Sequence, residues 1–183
     1  MFDAIKIAVL VFVLAVLQVS FFPTFLTSGG GTDVLCVLVV FLAMQRGLQT
    51  AIVTGFFAGL LIDAMQFDNL GVSSLLYMIA AAWVASRLAA DDSAPPVPVR
   101  SGPPPVAAWR QVLYVVAGIL IVQVGYAILQ VLLGDSYPAG FVLRQVIFPT
   151  VVQTTVVALL LLPLLRRLFP LKGRFDVSPI AAA

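Results

Sequence analysis

The stretch Gln49–Gly71, QTAIVTGFFAGLLIDAMQFDNLG, decides the fold of this chain. Gly55, Gly59 and Asp63 follow one another at intervals of four residues, so they lie along one face of a helix. The surrounding residues are almost all apolar, which predicts a helix inside a membrane. There, two small residues let a neighbouring helix approach closely, and a carboxylate needs a partner or the membrane surface.

The composition of the whole chain is typical of an integral membrane protein. Of its 183 residues, 62% are hydrophobic and 10% are charged, and the mean hydropathy is +1.13. Soluble domains carry about 25% charged residues. We therefore expect a single membrane domain over residues 1–183. Helices are the expected spanning element, because the apolar runs are longer than the strands of a barrel.

The residue types that the chain lacks limit its chemistry. It contains no histidine, no glutamate and a single cysteine, Cys36. This excludes an internal disulfide, a Cys/His metal cluster and a Ser-His or Cys-His nucleophile. An intramembrane aspartyl protease is disfavoured, because it needs two carboxylates that meet at membrane depth and no second aspartate lies in the interior of a predicted span. We expect no enzymatic activity, no cofactor, no metal and no nucleic-acid partner.

Six apolar segments predict a compact all-α bundle of six transmembrane helices. They cover residues 4–22, 33–45, 48–65, 71–87, 111–133 and 142–165. The first segment is expected to be retained, because its apolar run is too long for a signal peptide. The second is short for a span, and the tight turn ending at Gly47 makes it a hairpin with the third. Residues 88–110 contain six prolines, which predicts an exposed linker, and residues 166–183 form a basic tail.

The basic residues predict the orientation of the bundle. With six spans both termini share one side, and nine of the ten basic residues fall on that side. These nine are Lys6, Arg46, Arg87, Arg100, Arg110, Arg166, Arg167, Lys172 and Arg174. Because cytoplasmic loops carry an excess of Lys and Arg, we expect both termini in the cytoplasm. The basic tail would then lie near anionic lipid headgroups of the bilayer.

Two sets of residues are candidate functional positions. The first set is a face for a partner helix, formed by Gly55, Gly59, Asp63 and Gly71. The alternative for its glycines is close packing inside the bundle, and the alternatives for its aspartate are an interfacial or a structural hydrogen-bonding role. The second set consists of four interior glutamines, Gln18, Gln123, Gln130 and Gln153. They could line a polar pocket or form hydrogen bonds between helices.

Three motifs occur in a characteristic order along the first half of the chain. They are Leu17-Gln18-x-Ser20-x-Phe22-Pro23, Asp33-Val34-Leu35 with Arg46-Gly47, and Gly55-Phe56-x-Ala58-Gly59-Leu60-Leu61-x-Asp63 with Leu70-Gly71. Together they resemble the rod shape-determining protein MreD family of bacteria. The resemblance covers residues 1–88 and is looser over the last two segments. The chain departs from the family at Thr32, where proline is common, and in its long linker.

The resemblance implies a non-enzymatic scaffold in the bacterial inner membrane. Members of the family are expected to bind MreC, through its membrane helix and the adjacent periplasmic region. They act indirectly with RodA, the elongation transpeptidase and MreB to control cell shape and cell-wall synthesis. The family is also similar in fold to the S components of energy-coupling-factor vitamin transporters. A substrate-binding subunit of that kind is the alternative, although the predicted outward loops offer few polar and aromatic residues to a solute.

Overall fold

A computed structural model describes residues 2–21, 31–66, 70–91, 108–132 and 147–168. These residues form six helices: α1 (Phe2–Ser20), α2 (Val34–Arg46), α3 (Leu48–Gln66), α4 (Val72–Asp91), α5 (Ala108–Leu132) and α6 (Phe148–Leu168). The described part of the chain contains no strand, and each predicted segment overlaps one of the helices. The predicted all-α fold is therefore confirmed.

The largest differences in helix length lie on either side of the predicted linker. α4 continues to Asp91 and α5 begins at Ala108, so both ends of the 88–110 linker are helical. The flanking alanines favour helix, and the first proline is Pro95. α6 extends into the basic tail and ends at Leu168. Residues 92–107 of the linker, 169–183 of the tail and 142–146 of the sixth segment lie outside the described residues.

α2 occupies the centre of the bundle. All eleven residues from Val34 to Met44 are buried, and α2 contacts each of the other five helices. A helix that is apolar on every face is typical of a position surrounded by other elements. At 13 residues α2 is short, and its burial explains how so short a helix belongs to the bundle. The turn to α3 is Gly47, whose φ of 87° favours glycine.

The other five helices form a layer around α2. α1 contacts α3, α3 contacts α4, α4 contacts α5, and α5 contacts α6. The outer faces of these helices carry exposed large hydrophobic residues, such as Phe12, Phe57 and Leu160. Among the described residues, α3, α5 and α6 are long and apolar enough to cross a membrane. Lipid is the solvent that suits these outer faces.

Successive helices run antiparallel, and this order brings the described basic residues together at one end. Contacts between helix ends establish the order; for example, Gln18 near the end of α1 bonds to Leu35 at the start of α2. Six described basic residues share what we call the basic end: Lys6, Arg46, Arg87, Arg110, Arg166 and Arg167. Asp33 and Asp63 lie at the opposite end, which we call the cap end.

Candidate functional site

Asp63, at the end of α3, caps the beginning of α4. Its side chain is 1% exposed. Oδ2 accepts hydrogen bonds from the backbone N–H of Gly71 at 2.8 Å and of Ser73 at 3.2 Å. The first N–H groups of a helix have no partner within it, so a neighbouring carboxylate stabilises them. Asp63 therefore acts as a structural hydrogen-bond acceptor that joins α3 to α4.

The glycine face of α3 packs against α4 of the same chain. A Cβ atom placed on Gly59 would lie 2.6 Å from the carbonyl carbon of Ser73, and one on Gly55 would lie 3.3 Å from that of Tyr77. The Ser74 hydroxyl also donates a hydrogen bond of 2.9 Å to the carbonyl oxygen of Phe56. Small residues here allow two backbones to approach within contact distance.

For Gly55, Gly59, Asp63 and Gly71, this packing favours the predicted alternative of close packing inside the bundle over a face for a partner helix. α4 already covers the two glycines, and the aspartate is bonded to the start of that helix. Gly71 lies in the turn, where its φ of 99° favours glycine. A partner helix could reach this face only if α4 moved away. The sequence motif is therefore used inside the bundle.

Asp33 performs a similar role at the start of α2, and it does so in contact with two further helices. Its Oδ1 accepts hydrogen bonds from the backbone N–H of Cys36 at 3.1 Å and from the hydroxyl of Tyr77, on α4, at 2.6 Å. Its own backbone N–H donates to Oγ1 of Thr154, on α6, at 3.0 Å. Asp33 is 7% exposed. The central helix is thus held at its N-terminus by buried polar contacts.

α1 completes this arrangement through Gln18, whose Oε1 accepts a hydrogen bond of 3.0 Å from the backbone N–H of Leu35. Four helices therefore meet at the cap end around buried polar side chains. We call these side chains the cap cluster: Gln18, Thr32, Asp33, Tyr77, Thr150 and Thr154. In an apolar interior, such contacts specify which helices lie next to one another.

Four buried polar oxygens at the cap end have no hydrogen-bond partner in the described part of the chain. They are Oγ1 of Thr32, Oγ1 of Thr150, Oδ1 of Asp63 and Oε1 of Gln153. A buried polar group without a partner costs about 1–3 kcal/mol. Two of these oxygens belong to the cap cluster, so that cluster has hydrogen-bonding capacity beyond the contacts that it makes.

The four glutamines predicted to be interior do not form one pocket. Gln18 belongs to the cap cluster, and Gln153 precedes Thr154 on α6 with its side-chain oxygen buried. On α5, Gln123 is half-buried and Gln130 is exposed. The hydrogen bond that joins α5 to α4 uses Tyr126 instead, whose hydroxyl lies 2.7 Å from that of Ser73.

The residues that connect the cap cluster to α4 and α6 are not among the predicted site residues. Tyr77 is one of many aromatic residues in the chain, and its position in the sequence does not indicate a hydrogen bond to Asp33. Thr150 and Thr154 are four residues apart on a largely apolar helix, a spacing that places two hydroxyls on one face. That spacing was the available signal, because threonines on one face of a membrane helix often bond to a neighbouring helix.

Arginine and tryptophan side chains lie together at the basic end. Arg166 on α6 donates from Nε to Oε1 of Gln111 on α5 at 3.2 Å, and Nη2 donates to the same oxygen. Arg87 lies over the ring of Trp83 at 5.3 Å. Such cation–π pairs are typical of residues at a membrane–water interface. In the residues described, no group of three or more Cys, Asp or Glu side chains could hold a metal ion.

These features define a multi-pass α-helical membrane protein with a buried central helix and capped helix ends. Comparison with protein families then gives a specific relationship. Residues 2–89 match the family model of rod shape-determining protein MreD. Over this region, which holds α1 to α3 and nearly all of α4, the chain is similar to the MreD family, as the motifs predicted. No curated protein and no solved structure matches the chain.

Proposed function

We propose that this protein is a non-enzymatic membrane scaffold of the bacterial cell-elongation machinery. It binds the membrane helix of MreC and the adjacent periplasmic region, and so helps to control peptidoglycan synthesis and cell shape. RodA, the elongation transpeptidase and MreB are affected indirectly through this complex. The observation that carries the proposal is the match of residues 2–89 to the MreD family.

We further propose that the six helices span the inner membrane with both termini in the cytoplasm. The support is the clustering of basic residues: six of those described share the basic end, whereas Asp33 and Asp63 lie at the cap end. Lys and Arg accumulate on the cytoplasmic side of membrane proteins. In this orientation the cap end faces the periplasm, the side on which most of MreC is expected.

The partner surface of the scaffold is proposed to be an outer face of the bundle. The glycine face of α3 is filled by α4, and α2 is enclosed by the other helices. Large apolar residues remain exposed on all five peripheral helices: Phe12 on α1, Phe57 on α3, Leu75 on α4, Leu120 on α5 and Leu160 on α6. In lipid, association on such faces depends on close packing and hydrogen bonds.

Site-specific photocrosslinking in the native membrane tests the proposal. With a photoreactive residue placed at each of these five exposed positions in turn, at least one position should crosslink to MreC. The same residue at Phe41, which is fully buried on α2, is the matched control and should give no crosslink. If all five outer positions fail to crosslink to MreC, the proposed binding is wrong.

The alternative of a vitamin-transporter S component gains no support from the comparisons. Purification from native membranes in mild detergent separates it from the scaffold proposal. Recovery of MreC with the chain would support the scaffold. Recovery of two ATPase subunits with a helical coupling subunit would contradict it.

A further inference from the structure

We propose that the cap cluster binds a water molecule between Thr32 and Thr150, and that this water joins α6 to the start of α2. The inference concerns the interior of the bundle. It goes beyond the proposed scaffold role and does not depend on which partner the protein binds. It rests on burial, on the position of the two threonines and on the chemistry of their neighbours.

The first observation is that both hydroxyls are buried without a partner. Thr32 is 3% exposed and Thr150 is 1% exposed. In the described part of the chain, neither Oγ1 atom has a hydrogen-bond partner. A hydroxyl can donate one hydrogen bond and accept two. Burying both hydroxyl groups in an apolar interior without a hydrogen bond would be unfavourable.

The second observation is that the two hydroxyls flank the same contact between helices. The backbone N–H of Asp33 donates to Thr154 at 3.0 Å. Thr32 immediately precedes Asp33, and Thr150 lies one helical turn before Thr154 on the same face of α6. Both threonines therefore lie close to this contact, at the cap end of the bundle.

The surroundings favour a small neutral ligand. The N-terminus of α2 carries a partial positive charge, which opposes a cation, and the Asp33 carboxyl group opposes an anion. Its Oδ1 already accepts hydrogen bonds from Cys36 and Tyr77. Val34 and Leu35, which follow Asp33, are 1% and 0% exposed, so the start of α2 is shielded from the surroundings of the bundle. Water fits these conditions, because it both donates and accepts and is commonly buried with such groups.

The position of the site gives the water a structural role. The family match ends at residue 89, and α5 and α6 lie beyond it. Asp33 and Thr154, which are 121 residues apart, form a direct bond between α6 and the matched region. A water beside this bond would provide a second connection between the two parts of the chain.

Thermal unfolding of the full-length protein in detergent tests the inference. We expect Thr32→Val and Thr150→Val each to lower the apparent Tm by about 2–4 °C, because each removes a hydroxyl bonded to the water. The double variant should lower it little more than one substitution, since a single water serves both residues. Thr154→Val is the control. It should lower the Tm whether or not water is present, because the backbone N–H of Asp33 then loses its acceptor.

Each other outcome would overturn the inference. An unchanged or higher Tm in the single variants would mean that the hydroxyls form no hydrogen bond with a water molecule. Additive losses would mean that no shared water connects them. A Tm that changes when choline replaces sodium at constant ionic strength would identify a bound cation instead.

A second measurement covers the case in which the valine variants do not fold. Thr32→Ser and Thr150→Ser retain the hydroxyls and should fold. A structure of the unchanged protein that resolves ordered water should show density within about 3 Å of both hydroxyls. A map with ordered water elsewhere but none at this position would refute the proposal.

Discussion

Replacing Gly59 by alanine should destabilise the bundle more than the same change at Gly55. A Cβ atom at Gly59 would lie 2.6 Å from the carbonyl carbon of Ser73, closer than carbon atoms can approach. The obstacle is the backbone of α4, which cannot move like the end of a flexible side chain. At Gly55 the closest atoms would be 3.3 Å away, so small adjustments suffice. The two substitutions therefore form a matched pair on one helix face.

The size of the effect follows from three contributions. Strain from overpacking costs about 1–3 kcal/mol. If α4 moves away, Asp63 loses one of the hydrogen bonds that it accepts from Gly71 and Ser73, which costs about 2 kcal/mol of stability. Alanine favours helix over glycine by about 0.5–1 kcal/mol. The net loss for Gly59→Ala is about 3 kcal/mol, whereas for Gly55→Ala the helix preference offsets most of the strain.

Apparent Tm in detergent is the assay, with purified protein and no partner present. For a chain of this length, about 3 kcal/mol corresponds to a decrease of about 6–12 °C. Gly55→Ala should change the Tm by no more than about 3 °C. If Gly59→Ala left the Tm of the isolated protein unchanged but abolished co-purification of a partner, the glycine face would be external. The internal packing described above would then be wrong.

Three further predictions concern the caps, the basic end and the orientation. Asp63→Ala should lower the Tm by about 4–8 °C, because two backbone N–H groups at the start of α4 lose their acceptor; Asp63→Asn, which retains an oxygen, should lower it less. Gln111→Ala should lower the Tm by less than about 4 °C, because it removes a partner of Arg166 from a part-buried contact, and the exposed Arg167→Ala serves as its control. A cytoplasmic reporter fused after Ser93 should be active and a periplasmic reporter inactive, and the reverse would contradict the six-span topology.

The chain uses small residues in more than one helix to bring its two halves together. A Cβ atom on Gly118 of α5 would lie 2.6 Å from Cγ2 of Val40, so α5 packs closely against the central helix. Gly125, two turns further along α5, faces Leu76 on α4. These obstacles are side chains that can rotate, unlike the backbone opposite Gly59. Substitutions at the α5 glycines should therefore be tolerated better than Gly59→Ala.

The sequence by itself determined the local features of this protein. Long apolar runs predicted six helices, and Gly47 predicted the hairpin between the second and third, because each feature depends on neighbouring residues. The positions of Lys and Arg separated one end of the bundle from the other. The ordered motifs predicted the resemblance to the MreD family, whose model matches residues 2–89.

Only the tertiary structure decided which faces meet. The interior of a membrane protein and the surrounding lipid are both apolar, so hydropathy does not distinguish a central helix such as α2 from a lipid-facing one. The same ambiguity concealed that α4 covers Gly59. The bonds from Asp33 to Tyr77 and to Thr154 join residues 44 and 121 positions apart. Such contacts exist only once the helices are assembled, because no local pattern specifies which distant helix will supply the partner.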